Sequence, residues 1–120
     1  MSDRPVVGYA QHPSGLVATI ESLPRPKSQT RLGYPQKLCL YDVHLGELLW
    51  SASQETVGFK PFALPIAISN DGILIASQVE VVDSKSKVFK VVTVRQTDDG
   101  RVLIELRCFL SPHQLFSVVI

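Results

Sequence analysis

The sequence predicts an all-β chain of tandem four-stranded antiparallel meanders. Three observations carry that reading. Val, Ile, Leu, Phe and Tyr fall in short runs, punctuated by Gly, Pro, Asn, Asp and Ser, which is the pattern of strands and turns. No apolar set recurs at helical spacing over about ten residues. The stretch AISNDGILIAS, residues 67–77, reads as two apolar runs joined by a turn, and hairpins of this kind recur along the chain.

Taken in order, residues 5–11 form a first strand. His12-Pro13-Ser14-Gly15 turns it into residues 16–21. Residues 22–36 are expected to be irregular, because Pro24, Pro26, Gly33 and Pro35 interrupt any regular pattern. Residues 37–43 form a third strand, and His44-Leu45-Gly46 turns it into residues 47–51. After Pro61 and Pro65, residues 66–69, the turn Asn70-Asp71-Gly72 and residues 73–78 repeat the first hairpin. A polar connection around Asp83-Ser84-Lys85-Ser86 follows. Residues 88–96, the turn Thr97-Asp98-Asp99-Gly100 and residues 101–108 repeat the second hairpin. Gly15 and Gly72 stand 57 positions apart, Gly46 and Gly100 stand 54 apart, and the difference falls in a connection, where insertions are tolerated. A turn position with positive φ favours glycine, so these glycines set the register of the repeat. The chain is therefore expected to hold one all-β domain, 1–120, with one unit over residues 5–51 and a second over 62–108. Residues 116–120, FSVVI, look like the first strand of a third unit, which has to pair with another strand. Leu38, Leu40, Ile66, Ile68, Leu74, Val92 and Leu103 are the expected buried positions.

Composition narrows the class. With 45% hydrophobic and 19% charged residues, the 120-residue chain is globular and long enough to bury a core. A net charge of +1 argues against nucleic acid as a partner. No apolar run approaches the ~20 residues of a spanning helix, and MSDRPVVGYA lacks the architecture of a signal peptide. A cytoplasmic protein without membrane insertion is expected. Cys39 and Cys108 have no metal-type spacing and fall in strands, so two buried free thiols are expected.

A four-stranded unit in tandem resembles the blade of a β-propeller. LYDVHLGELLWS, residues 40–51, is similar to the third-to-fourth-strand hairpin of propeller repeats, with Asp42 four before Gly46. Trp50, four beyond that glycine, resembles the tryptophan of quinoprotein-type (PQQ-like) repeats. AISNDGILIAS is similar to the first hairpin of WD repeats through Ser69, Asp71 and Gly72, with Asn70 in place of a proline. The second unit departs from both patterns, carrying Arg95-Gln96 where the WD dipeptide would stand and Ile104 where the tryptophan would. The resemblance implies propeller-like blades, a partial propeller of about two blades and one strand. An unrelated eight- or nine-stranded barrel or sandwich would use the same strands.

There is no Gly-rich phosphate loop, HExxH, CxxC or GxSxG. His12, His44 and Asp71 share one end of an up-and-down path and have zinc-ligand chemistry, but local hydrogen bonding is the expected role. Trp50 is expected in packing between units. No cofactor is expected. From Ser22 to Leu40 the chain carries Arg25, Lys27, Arg31 and Lys37 with no acid, and the prolines stiffen it. This segment reads as a contact arm, with Tyr34 as an anchor. Alternating connections put turns 12–15, 44–46, 70–72 and 97–100 at one acidic end, and the longer connections, with Lys60, Lys85 and Lys87, at a basic end. The expected function is a non-enzymatic protein–protein interaction module or scaffold subunit. It would dock other protein subunits, or copies of itself, through Arg25, Lys27, Arg31, Tyr34, Lys37, Lys85 and Lys87. The alternative is a self-assembling propeller whose ring carries a small-ligand or quinoprotein-like catalytic pocket.

Overall fold

The computed structural model describes residues 5–24, 33–57, 66–82 and 87–109. These form eight strands and no helix: β1 (Val6–Gln11), β2 (Leu16–Ser22), β3 (Tyr34–Asp42), β4 (Glu47–Thr56), β5 (Ile66–Ile68), β6 (Leu74–Val82), β7 (Val88–Gln96) and β8 (Val102–Phe109). They pair in sequence order into two four-stranded antiparallel sheets, β1-β2-β3-β4 and β5-β6-β7-β8. The all-β meander architecture is as expected from the punctuated apolar runs, and all four turn glycines, Gly15, Gly46, Gly72 and Gly100, have positive φ. None of the described helices is long and apolar enough to cross a membrane, since there are none.

Several strands run further than local composition suggested. Strand β3 begins at Tyr34 and includes Pro35, which sits opposite Glu55. Proline has no N–H to donate, yet it is tolerated near a strand end, and here its carbonyl accepts the Leu23 N–H at 3.1 Å. Strand β4 continues to Thr56, carried by pairing with the extended β3. Strand β6 continues to Val82 against β7, so a stretch read as a connection is paired. Long-range pairing overrides weak local signals here.

The core lies between the sheets. Side chains alternate across a strand, so one face of the first sheet presents Ala18, Ile20, Leu38 and Leu40, all essentially inaccessible. Ile75 of β6 meets them from the second sheet, with Trp50, Ile66 and Ile68 packed around. Leu38 and Leu40 are buried as expected, and Ile66 and Ile68 are half-buried at the core margin. Leu74 and Leu103 are corrections, exposed at 36% and 42%, and Val92 is half-buried. The buried face of the second sheet carries Ile75, Phe89 and Val91 instead. Val92 occupies in β7 the place of Leu38 in β3, since each sits two residues before the partner of the residue four past the turn glycine, Leu40 opposite Trp50 and Val94 opposite Ile104. Its face is the apolar equivalent of the first sheet's core face, but no described strand of this chain covers it. Cys39 is buried and Cys108 only half-buried. Both are free.

Leu40→Ala should destabilise the fold by ~2–5 kcal/mol, because it empties a fully enclosed site. Leu103→Ser should change stability by less than about 0.5 kcal/mol. Urea unfolding of the two variants distinguishes this core assignment from one built on Leu103.

Candidate functional site

The tight turns 12–15, 43–46, 70–72 and 97–100 lie at one end of the molecule, and turns 12–15, 70–72 and 97–100 take part in ties between the sheets. Trp50 leaves β4 four residues after Gly46, and its Nε1–H donates to the Thr97 carbonyl at 2.8 Å. Its ring lies flat against Gly100. A Cβ on Gly100 would stand 2.7 Å from Cδ2 and 2.9 Å from Cε3 of the indole. The glycine is thus required twice, for its φ of 76° and for the close approach of the ring. Thr97 is itself pinned, its hydroxyl donating to the Gly72 carbonyl at 2.6 Å. Arg95 Nη1 donates to the Gly100 carbonyl at 2.9 Å, bracing the same turn. Partial burial lowers the Arg95 pKa, and its Nε is buried without a partner.

His12 makes a second tie. Its Nε2–H donates to the Asn70 carbonyl at 2.7 Å, while Nδ1 accepts from the Ser14 hydroxyl at 2.8 Å and the Ser14 N–H at 3.2 Å. Those partners select the Nε2–H tautomer and engage both nitrogens. His44 packs against Gly15 within its own sheet. Among the described residues no group of three His, Cys, Asp or Glu side chains is arranged to hold a metal ion. Asp42 and Asp71 serve their own turns: Asp42 Oδ1 accepts from the N–H groups of His44 and Leu45. Asp71 Oδ1 accepts from the Ser69 hydroxyl at 2.6 Å and the Ile73 N–H at 3.0 Å. The aspartates that mark both repeat motifs are therefore Asx-turn residues.

A polar cluster that local sequence did not signal lies on the face of the first sheet turned away from the second. Glu21 is 98% buried there, its Oε2 accepting from the Tyr41 hydroxyl at 2.7 Å and the Thr19 hydroxyl at 3.0 Å. Burial and the bond to Glu21 push the Tyr41 phenol well above its ordinary range. Burial, then the neighbouring carboxylate, push the Cys39 thiol up as well. Through the Tyr41 bond to Glu21 the cluster joins β3 to β2.

Of the residues expected to bind a partner, Arg25, Lys27, Arg31 and Lys85 lie outside the described residues. Tyr34 opens β3 opposite Thr56, and Lys37 stands opposite Glu21 and Ser53, on the other face of the same sheet. Lys87 is exposed just before β7 of the second sheet. The described members of the set are thus placed near one end of the strands but not on one sheet face. No protein-family model, curated protein or solved structure matches this chain.

Two outcomes test this geometry. Gly46→Ala meets open space and should cost ~1–2 kcal/mol from its positive φ alone. Gly100→Ala should cost a further ~1–3 kcal/mol because it displaces the indole, and that excess should vanish in a Trp50→Ala background. In the second test, the Ser69 hydroxyl and then the Ile73 N–H hold the Asp71 carboxyl below the usual carboxylate range. A depressed folded pKa contributes stability above the ordinary value, about 4, that is lost as pH falls through the depressed one. The melting temperature of wild type should exceed that of Asp71→Asn at neutral pH, and the gap should narrow on acidification below about pH 4. A gap independent of pH would contradict the assignment.

Proposed function

We propose that this chain is a non-enzymatic protein-interaction module built of propeller-type blades, which docks onto an acidic protein surface through its basic end. The observation that carries the reading is the division between the two ends of the strands. At one end the short turns are consumed in ties between the sheets, Trp50 to Thr97 and His12 to Asn70. Their acids, Asp71, Asp98 and Asp99, come with no lysine or arginine within the turns themselves. At the opposite end, β2, β4 and β6 finish at Ser22, Thr56 and Val82. The connections starting there and their borders carry Arg25, Lys27, Arg31, Lys60, Lys85 and Lys87 against Glu55, Glu80 and Asp83. A field of this kind speeds and orients encounter with a surface of opposite sign more than it adds affinity.

Blade character is supported by Trp50. It stands where the quinoprotein-type resemblance puts its tryptophan, and it joins one sheet to the turn of the next. Asp42, by contrast, is taken up by its own turn. A binding role suits the chemistry of the buried titratable groups. Glu21 is buried and accepts from Tyr41 and Thr19, so its carboxylate is engaged within the sheet.

The triple variant Arg25→Glu, Lys27→Glu, Arg31→Glu should slow association with an immobilised polyglutamate probe by roughly tenfold or more at low salt and flatten its salt dependence. The far-ultraviolet circular dichroism should be unchanged. Association that keeps its rate and salt slope after the reversal would rule out the basic end as the docking face.

A further inference from the structure

The two sheets use one interface, and each half of it has a counterpart that no described strand covers. In the first sheet Trp50 stands four residues past the turn glycine, paired with Leu40, and covers Gly100 of the second sheet. In the second sheet Ile104 stands four residues past Gly100, paired with Val94, and is 51% exposed. The row around it repeats the core face of the first sheet: Ala76, Val92, Val94 and Leu106 take the places of Ala18, Leu38, Leu40 and Ala52. A shallow apolar groove runs along this face beside Ala67, Ala76 and Val92. The complementary half is exposed at its turn end. Gly46 corresponds to Gly100, and a Cβ there would meet nothing within 4 Å. It lines a cleft of about 440 Å³ with Tyr41, Asp42, Val43 and Leu48, and Val43 and Leu48 are 49% and 50% exposed.

We propose that a second copy of this chain occupies these surfaces head to tail, with the Ile104 face of one copy seated over the Gly46 cleft of the next. The argument for a copy is continuity with the interface inside the chain. The knob repeats the apolar row that this sequence already seats against itself, and the socket offers the equivalent turn, with Gly46 in the place of Gly100. The contact is confined to the turn end of the socket face, because Thr19, Glu21 and Cys39 further along are buried. Since knob and socket are different surfaces, the interface is heterologous and propagates until a ring closes. Propellers close at about four to eight four-stranded sheets, so copies that each contribute the two described sheets close a ring at about two to four. This rests on the blade reading above but not on docking through the basic end. Charge reversal at Arg25, Lys27 and Arg31 tests that end, and apolar-to-acid changes test this one.

Two variants break the contact from opposite sides. Ile104→Glu spoils the knob and keeps the socket, whereas Leu48→Glu spoils the socket and keeps the knob. Both residues are half exposed, and circular dichroism with thermal melting checks that each variant folds. Leu74→Glu, at a position 36% exposed on the knob face, replaces Ile104→Glu if that variant unfolds. Light scattering coupled to size exclusion, over a concentration series, should give two to four copies for wild type and a monomer for each variant alone. An equimolar mixture of the two variants should form a dimer and nothing larger, because one intact knob and one intact socket remain. A wild type that stays monomeric up to its solubility limit overturns the proposal. So does an oligomer that both variants leave intact, or a mixture that stays monomeric while wild type assembles.

Discussion

The contact of the Trp50 ring with Gly100 is the constraint on which the arrangement of the two sheets depends. An indole needs a flat surface and an acceptor for its N–H when it is taken out of water. Gly100 provides the surface because it has no Cβ, and the Thr97 carbonyl provides the acceptor. That turn is in turn fixed by the Thr97 hydroxyl on Gly72 and by Arg95 on Gly100, so three strands of the second sheet converge under one side chain of the first. With the turn end clamped, Ile75 is brought down onto Ala18, Leu38 and Leu40. At the far end Val57 N–H donates to the Glu80 carbonyl at 2.9 Å and Glu80 N–H to the Thr56 hydroxyl at 3.2 Å, so the sheets are tied at both extremes of their length.

The two units share a strand plan, yet their faces meet different fates. In the first sheet, the face with Ala18, Ile20, Leu38 and Leu40 is sealed by the second. The corresponding face of the second sheet carries the same apolar alternation and remains half open. The other face of the first sheet is polar and closed around Glu21. A carboxylate that deep is tolerable only when donors replace its water, and Thr19 and Tyr41 do so from the same and the adjacent strand. The equivalent places in the second sheet, Ser77, Val79 and Arg95, form no such cluster, because Val79 has replaced the acid. Repetition of strands does not impose repetition of side-chain chemistry.

Such an assignment of faces and ends also orders the functional surfaces. Turn residues with acidic or imidazole side chains look like ligands in the sequence, but His12, Asp42 and Asp71 have their polar atoms turned inward to neighbouring backbone. Their chemistry is used up in shaping the end of the molecule. Among the described residues, exposed apolar positions include those around Ile104 and at the Gly46 cleft.

The sequence by itself determined the strand-and-turn class, the place of the four tight turns and the pairing of consecutive strands. Each of these depends on residues close in the chain: the glycines take the positive φ, the aspartates cap the turns, and alternating apolar residues make two-faced strands. It also marked Trp50 as a packing residue, through its fixed distance from Gly46. Tertiary structure alone decided which face is covered. Leu74 and Val92 have the pattern of core residues, and they are open because burial depends on what packs above a sheet, a property no strand carries within itself. The Glu21 cluster escaped notice for the same reason, since Tyr41 reaches Glu21 only through the antiparallel register set across a long connection. The bond from His12 to Asn70 joins residues from different sheets, so it depends on how the sheets pack and not on either turn alone.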